Sequence, residues 1–68
     1  MNYLIQKGNA SVSVLKIQQC LNQIHPEFQL KEDGLFDEKT EQAIKTFQQQ
    51  CGLTPDGLLS SLTWDKII

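Results

Sequence analysis

Asp33-Gly34-Leu35-Phe36-Asp37-Glu38-Lys39-Thr40 is answered 23 residues later by Asp56-Gly57-Leu58-Leu59-Ser60-Ser61-Leu62-Thr63. An Asp-Gly pair favours a tight turn, because glycine takes φ > 0 without a Cβ clash and the aspartate carboxylate bonds nearby backbone N–H groups. In both copies two apolar residues follow, then a small capping residue, Asp37 or Ser60, and then a helical pattern opens. One device, an anchored turn feeding a capped helix, is used twice in 68 residues. A repeat of this kind discloses architecture before any single residue discloses chemistry.

Before the first turn, Leu4 and Ile5 form a short apolar entry and Gly8-Asn9-Ala10-Ser11 has turn composition. Ser11 or Ser13 caps a first helix whose apolar residues Val14, Ile17, Leu21 and Ile24 recur at steps of three and four. Pro26 disfavours helical geometry at His25, which predicts a helix over 12–24. Glu27 to Leu35 reads as a connecting loop with Phe28 and Leu30 turned inward.

Asp37 then caps a second helix, and the acidic first turn (Asp37, Glu38, Glu41) suits the helix dipole. Ala43, Ile44, Phe47 and Cys51 make its apolar face, with Gly52 placed for a left-handed helix end and Leu53 for the accompanying apolar contact. After the turn Thr54-Pro55-Asp56-Gly57, Ser60 caps a short third helix carrying Trp64, Ile67 and Ile68. A helix so short persists only when packed. No stretch reads as a strand. The expectation is an all-α fold: one domain over 1–68, a three-helix bundle with two matched Asp-Gly turns.

Bulk properties bound what such a chain does. A domain of about 60 residues buries only about 60% of its unfolded surface, so the core is thin and deep clefts are not expected. The net charge is −2 and the lysines are scattered, which builds no basic footprint for nucleic acid. No apolar run approaches the length that spans a bilayer, and the start Met1-Asn2-Tyr3-Leu4-Ile5-Gln6-Lys7 lacks the pattern of a signal peptide. Export by another route, or membership of a larger chain, is therefore expected. Cys20 and Cys51 fall at or beside apolar helical positions, and their redox state is left open because a disulfide requires geometry. The single His25 and the absence of paired Cys/His spacing argue against a metal site, and no cofactor motif is present.

The order Gly8-x-x-Ser11-x-x-Val14-x-x-Ile17-Gln18-x-x-Leu21, Asp33-Gly34-x-Phe36-x-x-x-Thr40-x-x-Ala43-Ile44-x-x-Phe47-Gln48, Gly52-Leu53-x-x-Asp56-Gly57 and Thr63-Trp64 resembles the three-helix, "domain 1" type of peptidoglycan-binding domain. The match runs from about Leu4 to Ile67. It implies a non-catalytic module that holds a wall-active enzyme on bacterial murein, at the cell wall or in the periplasm, as a monomer. Its ligand would be glycan or stem peptide, with a tethered or partner catalytic domain as in phage endolysins. The alternative is a protein-interaction module of a phage or secretion system using the same fold. Ser11, Asp37 and Ser60 stand where many members carry glycine, and the family's usual arginines give way to glutamines. If those glycines serve φ > 0, the replacements carry modest strain.

Several residues admit both a functional and a structural role. Asp33 and Asp56 have the chemistry of a general acid and base, but the duplicated context favours carboxylates bonding their own turns, with Gly34 and Gly57 supplying the bend. Thr40 and Thr63 read as first-turn residues bonding back to those loops. Gln18 and Gln48 stand at the boundary of the buried face, where an amide either meets N-acetyl and peptide groups of murein or ties helix to loop. Trp64 either stacks on a sugar or anchors the core rim. Tyr3 and Asp37 complete the candidate ligand contacts. No pair of carboxylates flanks a cleft as glycoside hydrolysis requires, so no catalytic residue is assigned.

Overall fold

A computed structural model describes residues 5–67. Ser11 opens helix α1 (Val12–Ile24): its side chain accepts from the Val14 N–H, and its backbone is extended at φ −169°. The stripe Val14, Ile17 and Leu21 is buried, with Ile24 half out at the end, where Pro26 turns the chain into a single 3₁₀ turn, Pro26–Phe28. This turn, and the left-handed Gln29 (φ 50°) that follows it, lie within the stretch expected to be a plain connecting loop. Leu30 is buried and Phe28 packs against the core from its edge.

Helix α2 (Glu38–Gln50) begins at Asp37, whose carboxylate accepts from the Thr40 N–H at 2.9 Å. It ends in a left-handed glycine, Gly52, with the Gly52 N–H bonded to the Gln49 oxygen and the Leu53 N–H to the Gln48 oxygen. Those two bonds satisfy carbonyls that a bare helix end would leave open. The expected apolar set needs one correction. Ala43, Ile44 and Phe47 are buried, but Cys51 is exposed, because the helix has already stopped and Cys51 sits at its C-terminal boundary. Helix α3 (Ser61–Ile67) starts with the Trp64 N–H on the Ser60 oxygen and buries Thr63 and Ile67.

Among the described residues there is no β-strand, and the fold is a three-helix domain measuring 26 × 24 × 19 Å. Two isolated antiparallel bridges, Ile5 with Leu59 and Ala10 with Leu35, tie the N-terminal segment to both Asp-Gly turns. The Phe36 N–H reaches the Asn9 oxygen at 2.9 Å, and the Leu59 N–H reaches the Ile5 oxygen at 2.8 Å. The core is centred on Ile17, Leu21, Ile44 and Leu59, with Phe36 and Phe47 beside them. Gln29 is the only non-glycine residue with positive φ among those described. Ser11, Asp37 and Ser60 therefore carry none of the strain anticipated for them.

Candidate functional site

The two glutamines are the centre of the scaffold and have no surface. Gln18 is 0% exposed and Gln48 is 1% exposed. The Gln18 Nε2 donates to the Leu35 oxygen (2.8 Å), the Thr40 hydroxyl (3.1 Å) and, at longer range, Asp33 Oδ1 (3.4 Å). Its Oε1 accepts from the Gly34 N–H at 2.9 Å and the Asp33 N–H at 3.1 Å. The Gln48 Nε2 donates to Asp56 Oδ1 (3.0 Å), the Leu58 oxygen (3.1 Å) and the Thr63 hydroxyl (3.1 Å), while its Oε1 accepts from the Gly57 N–H (3.0 Å). A primary amide carries both the N–H donors for that oxygen cluster and the oxygen that accepts from the glycine N–H. Of the two roles the sequence left open for these residues, the geometry carries the tie between helix and loop. A ligand has no path to either amide.

The neighbours follow from this arrangement. Asp33 Oδ1 accepts from the Leu35 N–H and Asp56 Oδ1 from the Leu58 N–H, each closing its own turn. Thr40 and Thr63 are buried, and their hydroxyls meet the glutamine amides that hold the loops. Asn22, a polar residue of α1 off the apolar stripe, makes a third clamp. It pairs with Leu30 through both amide atoms, each bond 2.9 Å. Every buried side-chain polar atom among the described residues has a partner.

Asp37 caps α2, and the Thr40 backbone N–H holds its carboxyl below the ordinary 3.8. His25 bonds Glu27 at 3.0 Å and leans on Phe28. Tyr3 lies outside the described residues.

Trp64 is half-buried and lines a cleft of about 270 Å³ with Ile5, Leu59, Ser13, Ser60 and Ser61. The bridge between Ile5 and Leu59 forms one wall, the start of α1 another, and the first turn of α3 the third. None of the described lining residues is charged, and no described residue bonds the three serine hydroxyls. A second, more open groove of about 240 Å³ runs between the 3₁₀ turn and α2, with Phe28, Leu30 and Ala43 as floor and Glu27 and Lys39 among its walls. No group of three His, Cys, Asp or Glu side chains among the described residues is placed to hold a metal ion.

The family model described as "Putative peptidoglycan binding domain" matches residues 10–67, from the Ala10 bridge to the end of α3. The chain belongs to this peptidoglycan-binding family. Two solved structures share the fold. A peptidoglycan-binding protein from Clostridioides difficile, solved in complex with glutamine hydroxamate, is 34% identical with a TM-score of 0.89 over 96% of this chain and 40% of its own. The SleB N-terminal domain is 31% identical with a TM-score of 0.89 over 98% of this chain and 90% of its own.

An uncharacterized protein in the bpoA1 3′ region of Kitasatospora aureofaciens is 49% identical over 35 residues, which are 52% of this chain and 30% of that protein. The match thus spans under a third of that curated relative. Membership supports a cell-wall binding module, implies peptidoglycan as its ligand, and implies association with the wall or envelope. The family is one of binding modules, in accord with scaffold roles for Asp33 and Asp56. No described helix is long and apolar enough to cross a membrane.

Proposed function

We propose that this module holds a wall-active enzyme on murein, with the cleft beside Trp64 as its contact surface. The observation that supports this most is the cleft's composition: an indole and a half-buried aliphatic side chain beside three serine hydroxyls, within a fold whose other described candidate polar groups are consumed by the scaffold. Small-ligand sites combine an apolar lining with a few placed polar groups in this way. Little surface is available, so affinity per module is modest. Tethering to a catalytic domain would raise that domain's effective concentration at the polymer without any new contact. The larger C. difficile and K. aureofaciens proteins, of which this chain matches only part, are consistent with such tethering.

The test is retention of the purified chain on insoluble murein sacculi. A bound fraction that falls with Trp64→Leu supports the reading. Protein left wholly in the supernatant removes it, and favours a module that docks another protein.

A further inference from the structure

The two halves of this domain agree where they build scaffold and part where they face the cleft. Gln18 and Gln48, Asp33 and Asp56, and Thr40 and Thr63 play matched roles in the two halves. At the start of the helix that each turn launches, the chemistry changes. Helix α2 opens with Asp37, Glu38 and Glu41, whereas the corresponding positions 23 residues on are Ser60, Ser61 and Trp64. Helix stability does not ask for this change, since carboxylates are favoured in a first turn. All three altered residues line the cleft. The second copy has thus lost three carboxylates and gained two hydroxyls and an indole where a ligand has access.

We infer that the Trp64 cleft takes an uncharged N-acetylated sugar of the murein glycan rather than the anionic stem peptide. The inference rests on the murein reading above and narrows it. A carboxylate entering this cleft would shed water and find no cationic side chain among the described lining residues, and an unpaired charge moved out of water is strongly disfavoured. A pyranose ring has a C–H face suited to the indole and the half-buried Ile5 side chain. Its hydroxyl and acetamido groups match Ser13, Ser60 and Ser61, which both donate and accept. The size agrees: about 270 Å³ falls just below the roughly 300–1,000 Å³ typical of pockets for larger ligands. One sugar ring with its acetamido group fits that space better than a whole disaccharide-peptide.

The experiment is an NMR titration of the unaltered chain with the N-acetylglucosamine trimer and, separately, with a synthetic stem tetrapeptide bearing free carboxylates. Sacculus retention is measured in parallel. The trimer is expected to move the Trp64 indole and the Ser60 and Ser61 amides, with little change between low and high salt because no ion pair is involved. Trp64→Leu is expected to weaken trimer binding about tenfold or more, as loss of a central aromatic anchor does. The mapping on the unaltered chain stands whether or not that variant folds.

Shifts of these resonances by the peptide, with the trimer silent, would overturn the sugar assignment and leave the murein reading intact. Retention on sacculi with shifts only around Lys39 and Gln42 would overturn the choice of cleft. Failure of both retention and trimer binding would overturn the murein reading itself.

Discussion

Gln48 stands 30 residues after Gln18 and repeats its bonding role in a second copy of the same turn. The register around the pair repeats as well. Gly34 lies against Ser11 and Leu15, seven and three residues before Gln18, and Gly57 lies against Glu41 and Lys45, seven and three before Gln48. Helix α2 therefore serves twice, as the helix launched by the first turn and as the platform for the second. A chain this small gains two interlocked supersecondary units from three helices.

Replacing either glutamine by glutamate tests the lock most sharply. A carboxylate at position 48 would face Asp56 Oδ1, the Leu58 oxygen and the Thr63 hydroxyl with oxygen instead of N–H. Each buried group left without a partner costs about 1–3 kcal/mol. Whole-domain stability at this length is on the order of 3–10 kcal/mol. Gln48→Glu and Gln18→Glu are expected to lose about 3 kcal/mol or more, leaving either variant marginal at 25 °C in urea unfolding followed by circular dichroism. A midpoint unchanged from the parent would show that the amides are not what holds the turns.

The positive-φ glycines should rank by what an added Cβ would meet. At Gly52 there is nothing within 4 Å, so Gly52→Ala incurs only the left-handed backbone penalty of about 1–2 kcal/mol. At Gly57 the nearest atoms are Glu41 Cγ at 2.9 Å and Lys45 Cε at 3.0 Å, parts of long side chains that can swing aside. At Gly34 the nearest atom is the Ser11 backbone oxygen at 3.0 Å. That oxygen accepts the Leu15 N–H and cannot yield without disturbing the first turn of α1. Thermal unfolding should place Gly34→Ala as the most destabilised of the three. Equal losses at all three sites would mean that backbone conformation alone sets the cost.

Much of this fold was legible because its signals are local. Caps at Ser11 and Asp37, the Pro26 stop, the Gly52 end and the periodic stripes each act within a few residues, and α1 runs over the predicted 12–24. The site was harder to read. Whether an amide at the edge of an apolar stripe faces ligand or loop depends on where a turn 15 residues away comes to rest, as Gln18 and Asp33 show. Periodicity extended the α2 stripe to Cys51, whereas the Gly52 signal beside it ends the helix. The cleft joins Ile5, Ser13 and Trp64 from three separate segments, and no spacing along the chain announces that meeting.

The two cysteines offer a check on that boundary. Both are free thiols, Cys51 exposed and Cys20 half-buried against the core. A thiol reagent should modify Cys51 in the folded protein at nearly the rate of an unfolded control, and Cys20 markedly more slowly. Cys51→Ser should change stability by no more than about 0.5 kcal/mol, as exposed substitutions usually do. Cys20→Ser should cost more, because its sulfur packs among apolar side chains. Protection of Cys51 from the reagent would place it back on the buried face.

Asp37 gives the domain a defined acid-side sensitivity. The Thr40 backbone N–H is the largest influence on its carboxyl and, together with the Thr40 hydroxyl, outweighs the opposing effect of partial desolvation, so the folded-state pKa lies below the ordinary 3.8. A depressed folded pKa means that the ionised cap stabilises the fold fully above the unfolded value. That contribution fades as pH falls through the folded value, because protonation is then taken up more readily by the unfolded chain. Asparagine caps a helix about as well as aspartate without titrating. Asp37→Asn should therefore sit near the parent in stability at neutral pH and show a shallower decline between pH 3.8 and more acidic conditions. Asp37→Ala should lose about 1 kcal/mol at neutral pH through the missing cap. Parallel acid profiles for the parent and Asp37→Asn, measured by urea unfolding at a series of pH values, would assign the acid sensitivity to other carboxylates.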